Sequence, residues 1–331
     1  MLSEWLRSAA ALLKSAMDKW GGNSSEGTTS VAKNAAVRID EIEPGDGPAW
    51  GTLSGLTAHP SDASRLYAVT DKDSPPARIL EIDVSASPAR VVRQMPVIAP
   101  GFDSLDLEAI VVQPDEGFWL ASEGGEDNNP PNVLLEVDAG GRLRRTIDLP
   151  ESIAPRTAKK GFEGLALETT TSGSRLYVAF QGPLAGDRDD LTRIGAVDVD
   201  TGQWTFFDYP LEYLPSGDFT GLSELLHLGN RRFAAIERDG KGGRKSVKWI
   251  TTFELAALVG APPDAAPPVT TKHVALDLVP VFTLLERKVE KKIEGLAVAS
   301  NGQVYVVTDN DNERATLLLR LGQAADIFAL R

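Results

Sequence analysis

Four glutamates open apolar, strand-like runs along the chain: Glu108 in LEAIVV, Glu163 in FEGLAL, Glu224 in LSELLH and Glu294 in IEGLAV. Other carboxylates close such runs: Asp71 after LYAVT, Glu123 after FWLAS, Glu237 after FAAI, and Asp309 and Asp311 after VYVVT. Carboxylates gathered in one place repel, so some hold their protons above the ordinary range unless a cation or basic side chains neutralise them. Three readings stay open: oxygen ligands for a hard divalent cation, general acid–base groups, or acceptors for backbone N–H groups with no chemistry at all. Calcium is the expected cation, because it accepts about six to eight oxygens in flexible geometry. The loops Glu123–Asn129 and Asp309–Glu313 are dense in such ligands, though neither is an EF-hand: counted from Asp309, Arg314 and Arg320 stand where the required Gly and Glu would be. Lys72, Lys159, Lys160, Arg238, Lys291 and Lys292 lie beside these runs. Lys292 and Glu294, two apart, share one strand face. Such cations neutralise the carboxylates, hold an anionic substrate, or form ordinary surface ion pairs.

The elements that carry these residues repeat. Lys291–Asp311 reads as an apolar strand, a turn at Ser300-Asn301-Gly302 and a second strand, since Asn-Gly between β-rich runs marks a hairpin. Four more copies run over Ser54–Asp71, Glu108–Glu123, Glu163–Gln181 and Thr220–Glu237. A hairpin cannot bury its apolar face alone, and copies spaced by tens of residues, each followed by further strand candidates, predict a β-propeller of four-stranded blades. Blade four carries a Pro-rich insertion at Ala261–Pro268, with Glu254–Val259 as a candidate short helix. The last blade lacks an outer strand, and Ala36–Ile42 is the natural one to close the ring. The repeat count gives five blades; a six-bladed ring that recruits Leu278–Leu285 and Asp326–Leu330 as strands is the competing count. In a propeller the start of each first strand and the end of each second strand meet at one face. Glu108, Glu163, Glu224 and Glu294 are therefore expected beside Asp71, Glu123, Glu237, Asp309 and Asp311, as an acidic ring around the channel mouth.

The 331 residues are 42% hydrophobic, with 30 Gly and 21 Pro, which suits one large turn-rich β domain. There is no Cys, which excludes disulfides and thiolate metal sites. A formal charge of −13 argues against a nucleic-acid partner. Leu2, Trp5, Leu6, Ala9, Leu13, Ala16, Met17 and Trp20 form one stripe of an amphipathic helix over residues 1–20. This helix is expected to dock on the main domain, on a partner or on a membrane surface. It is too polar to span a bilayer and lacks the features of a signal peptide, so the cytoplasm is the default location. Residues 21–34 are a flexible linker by composition, and residues 35–331 form the propeller domain. No G-x-S-x-G elbow, P-loop or dinucleotide fingerprint is present, and His59, His227 and His273 lack metal-ligand spacing.

The ordered segments LDLEAIVVQPDEGFWLASEGG, KGFEGLALE with LYVAFQGPL, GLSELLHLGNRRFAAIERDG and KIEGLAVASNGQVYVVTDND resemble the phytase-like family, also described by its esterase-like activity of phytase. The resemblance covers most of Leu53 to Leu321 and implies a β-propeller, hydrolysis of phosphoesters or esters, and assistance by calcium. Members of that family often look exported. Applied to the acidic ring, the resemblance makes Glu108, Glu163, Glu294, Asp309 and Asp311 the metal ligands, with Glu123 or Glu237 as catalytic base. Lys160, Lys292 and Arg238 would hold a small anionic or ester substrate. The rival expectation is a non-catalytic propeller that binds a ligand or protein at its mouth, with calcium as a structural staple or absent.

Overall fold

The computed structural model describes residues 37–43, 52–71, 76–125, 131–157, 160–171, 173–255, 257–309 and 316–329. The N-terminal helix, the linker and Asp311 lie outside the described residues. After β1 (Arg38–Glu41) come β2 (Leu53–Ala58), β3 (Arg65–Thr70), β4 (Arg78–Asp83) and β5 (Arg90–Pro96) of blade one. Blade two holds β6 (Leu107–Val112), β7 (Phe118–Ser122), β8 (Val133–Val137) and β9 (Leu143–Asp148). Blade three holds β10 (Phe162–Thr170), β11 (Gly173–Phe180), β12 (Leu191–Asp198) and β13 (Trp204–Pro210). Blade four is β14 (Gly221–Gly229), β15 (Arg232–Arg238), β16 (Lys248–Glu254) and β17 (Lys272–Asp277), followed by helix α1 (Leu278–Leu284). Blade five contains β18 (Lys292–Val298), β19 (Gln303–Asp309) and β20 (Leu317–Gln323), with a last helical turn α2 (Ala324–Ile327).

These strands form five four-stranded sheets, antiparallel throughout. The outer strand of blade five is β1, paired with β20 so that Ile39 lies opposite Leu319. Inner strands meet in the cyclic order β2, β6, β10, β14, β18 and back to β2, which is the ring. Each hairpin puts alternate residues on opposite faces, so every blade is apolar on both. The core accordingly lies between blades, in five clusters that each join two neighbours. Phe162 and Phe180, for example, pack edge to face at 5.1 Å in the cluster between blades two and three.

The six-bladed count is corrected by α1. Leu278–Leu285 reads as a strand by its apolar run, but the Asp277 carboxylate accepts the Val279 N–H at 3.0 Å as a helix cap. Pro280 falls in the first turn, where its missing N–H costs nothing. Leu278, Val279, Val281 and Phe282 then bury one face against blades four and five. Asp326 and Ile327 sit in α2 rather than in a strand. Glu254 ends β16 instead of starting a helix. The Pro-rich insertion runs along β13, where Ala261 exchanges backbone hydrogen bonds with Phe206, and Pro268 and Thr270 bond to Asp208. This covers an edge strand that would otherwise be open to pairing with another chain.

The inner strands approach one another too closely for side chains of ordinary size. A Cβ on Gly164 would come within 2.5 Å of the Leu225 backbone nitrogen, and one on Gly295 within 2.6 Å of the Leu56 Cβ. The axis is filled instead by Glu224. Its carboxylate accepts the N–H groups of Leu56 and Leu225, each at 2.9 Å, and is hydrogen-bonded to the backbone of Leu165 and Leu296. One side chain thereby ties blades one, three, four and five. Each buried N–H that loses its acceptor costs about 1–3 kcal/mol. Glu224→Leu should therefore lower stability by at least ~3 kcal/mol, read as a fall in the thermal midpoint; an unchanged midpoint would remove Glu224 from this role.

Candidate functional site at the channel mouth

All five inner strands carry a β-bulge close to one end of the channel, between Ser54 and Leu56, Leu107 and Ala109, Phe162 and Gly164, Leu222 and Glu224, and Ile293 and Gly295. A bulge inserts one unpaired residue and re-aims its side chain. The inserted residues are Gly55, Glu108, Glu163, Ser223 and Glu294. At the ends of the second strands or one residue past them stand Asp71, Glu123, Gln181, Arg238 and Asp309. Glu108, Glu163 and Glu294 from the bulges, together with all five of these strand-end residues, line a cavity of about 510 Å³ whose lining holds seven carboxylates and three cations.

Glu108, Glu123, Glu163, Glu294, Asp309, Lys160, Lys292 and Arg238 all line this cavity, as the sequence led us to expect. Glu224 and Glu237 do not. Glu224 is the axial fastener already described. Glu237 is 0% exposed inside blade four, where it accepts hydrogen bonds from Tyr209 Oη (2.8 Å), Glu212 N–H (2.8 Å), Thr220 Oγ1 (2.6 Å) and Lys272 Nζ (2.7 Å). Its neighbour Arg238 occupies the mouth in its stead.

Five of the seven carboxylates fall into two groups. Glu294 is bound in a fork by Arg238, at 2.5 and 3.2 Å, and Asp309 by Lys292 at 2.7 Å. Asp106, Glu108 and Glu123 have carboxylate oxygens within 4.8 Å of one another, a grouping of hard oxygen donors that suits a divalent cation. The backbone sets this trio in place: Glu123 N–H donates to the Asp106 carbonyl at 2.7 Å, and Asp106 N–H to Ser122 Oγ at 3.0 Å. Asp106 was not singled out from the sequence, although it lies two residues before Glu108 and alternation puts both on one face.

Burial pushes the Glu108 carboxyl well above its ordinary pKa, and the charges of Glu163, Asp106 and Glu123 push the same way. Glu163 is also raised well above its ordinary value, first by burial and then by Glu294 and Glu123. Gln181 Nε2 donates to Glu163 Oε1 at 2.5 Å and fixes its orientation. Glu123 Oε1 accepts the backbone N–H groups of Lys160 (2.9 Å) and Gly161 (2.8 Å). Lys160 is held at φ 81°, a left-handed conformation that side-chain-bearing residues seldom adopt. Such strain persists only where neighbouring structure enforces it. No ion pair engages the Lys160 ammonium among the described residues.

A phytase-like family model, described as "Esterase-like activity of phytase", matches residues 48–312. No curated protein matches the sequence. Among solved structures, a luciferin-regenerating enzyme aligns at 10% identity over 82% of this chain and 78% of its own, with a TM-score of 0.42. A putative gluconolactonase aligns at 13% identity over 86% and 92%, TM-score 0.40. A gluconolactonase from Xanthomonas campestris aligns at 9% over 82% and 86%, TM-score 0.39. With the family match spanning the propeller from blade one into blade five, the chain belongs to the phytase-like family.

Proposed function

We propose that the channel mouth hydrolyses a phosphoric or carboxylic ester, with calcium held by Asp106, Glu108 and Glu123. The observation that carries this reading is the meeting, in one cavity, of that trio, a second buried acid and a cationic side. The donor set fits the ion: three carboxylates, hard oxygens only, in a lining with an excess of acid over base. Glu294 and Asp309, which the sequence reading also offered as ligands, are committed to Arg238 and Lys292 and belong to the frame.

Hydrolysis adds water to phosphorus or to the carbonyl carbon and breaks the bond to the ester oxygen, which leaves with a proton. Glu163, kept protonated by burial and by its acidic neighbours, is suited to supply that proton. Glu123, fixed by the N–H groups of Lys160 and Gly161, is suited to receive the proton of water. Lys160 would hold the anionic oxygens, while Arg238 and Lys292 stay engaged by Glu294 and Asp309. A bound divalent cation supplies polarisation of the ester oxygen and a more acidic water. A second reading, a ligand-binding propeller without catalysis, draws on the fork from Arg238 in blade four to Glu294 in blade five, which makes a mouth carboxylate a fastener between blades.

Turnover of p-nitrophenyl phosphate and p-nitrophenyl acetate in calcium, and in chelator, separates the two. Glu163→Gln should cut kcat by about a hundredfold or more while leaving the protein folded, and chelator should cut it likewise. Turnover unaffected by either would overturn the hydrolase. A calcium-dependent rise in the melting temperature with no turnover would favour the propeller without catalysis.

Stability should also follow pH in a set direction. Glu108 and Glu163 bind protons more tightly in the folded protein than at their ordinary pKa of 4.5. Their contribution is therefore fully present below pH 4.5 and is lost as the pH rises through the folded-state values. Without divalent ions, the wild type should lose stability relative to Glu108→Gln/Glu163→Gln as the pH climbs above that point. Parallel melting profiles for the two proteins would contradict this.

A further inference from the structure

Beside the mouth, between the loops of blades three and four, lies a second cavity of about 620 Å³. Lys160, Gln181 and Arg238 line both cavities, so the two adjoin along that seam. Lys160 marks the join: its stem crosses Gly182, where an added Cβ would meet the Lys160 Cδ at 2.9 Å.

The second cavity differs in kind from the first. Pro183, Leu214 and Phe219 give it apolar surface, and the Phe219 ring is steadied edge-on by Tyr213 at 5.3 Å. Its charges nearly cancel. Arg238 is committed to Glu294, and Asp239 to Lys248 at 2.8 Å, which leaves Lys160 and Lys241 facing Asp189 and Asp218. A polyanion reaching into this space would meet as many carboxylates as ammonium groups and gain little. An uncharged, ring-sized group would instead cover the apolar wall.

We propose that this cleft seats the uncharged organic part of the substrate, while its anionic, scissile end lies against Lys160 in the central cavity. The substrate class is thus an ester of an organic alcohol or phenol with a single phosphate, not a polyphosphorylated one. This inference rests on the hydrolase reading and adds to it the direction in which the substrate extends.

Equilibrium binding of non-hydrolysable phosphonates to the full chain in calcium tests it without turnover. Phenylphosphonate should bind at least about tenfold more tightly than methylphosphonate, and inositol hexakisphosphate no more tightly than phenylphosphonate. Gly240 lines the cleft, has an ordinary backbone conformation, and has open space around its would-be Cβ. Gly240→Phe should therefore fill the cleft and bring the phenyl-to-methyl ratio close to one. Equal affinities in the wild type, an unchanged ratio in Gly240→Phe, or a preference for inositol hexakisphosphate would each overturn the cleft assignment while the hydrolase reading stands. Failure of both phosphonates to bind would overturn the cleft assignment together with the phosphoric-ester form of the hydrolase reading.

Discussion

The tightness of the propeller axis is the constraint on which the rest of the molecule depends. Five inner strands converge until Gly164 and Gly295 have no space for a Cβ, so the axis cannot be packed with apolar side chains like the spaces between blades. It also holds backbone N–H groups with no neighbouring strand to accept them. The Glu224 carboxylate answers both needs, since one compact group fills the centre and reaches the backbones of four blades. Burial pushes its pKa well up, against the N–H bonds that favour the ionised form.

The same crowding shapes the mouth. Each inner strand escapes the axis through a bulge, and the inserted residue is Glu in blades two, three and five. A structural necessity at the axis is thus converted into a ring of aimed carboxylates a short distance away. Two of the acids there are neutralised by Arg238 and Lys292, which secures the rim. Glu108 and Glu163 are left in an environment that favours their protonated forms. The burial and crowding that gather hard oxygen donors at Asp106, Glu108 and Glu123 therefore also favour a protonated acid at Glu163 beside them.

The blades were legible because alternation and turn residues state them locally: Asn301-Gly302 turns with Gly302 at φ 82°, as a tight hairpin requires. What alternation cannot show is a bulge, since the extra residue moves the register without changing the composition. Blade four reads Leu222-Ser223-Glu224 where others read Phe162-Glu163-Gly164 or Ile293-Glu294-Gly295, so matching glutamate to glutamate shifts that blade by one residue. Hence Glu224 and Glu237 are expected at the mouth but are found in the axis and the blade interior, with Ser223 and Arg238 in the matching places. Gln181 escaped notice because it is uncharged, yet it occupies in blade three the place held by Asp71, Glu123 and Asp309 elsewhere. Leu278–Leu285 misled because an apolar run does not reveal its period; the Asp277 cap and Pro280 decide for helix.

The central claim is that protons and a divalent cation compete for the same buried carboxylates at the mouth. Calorimetric titration of the metal-free protein with calcium, near neutral pH and in two buffers of different ionisation enthalpy, measures that exchange directly. The account predicts binding with release of about one proton or more per ion, seen as an enthalpy that changes with the buffer. Binding with a buffer-independent enthalpy, or no binding at millimolar calcium, would contradict it.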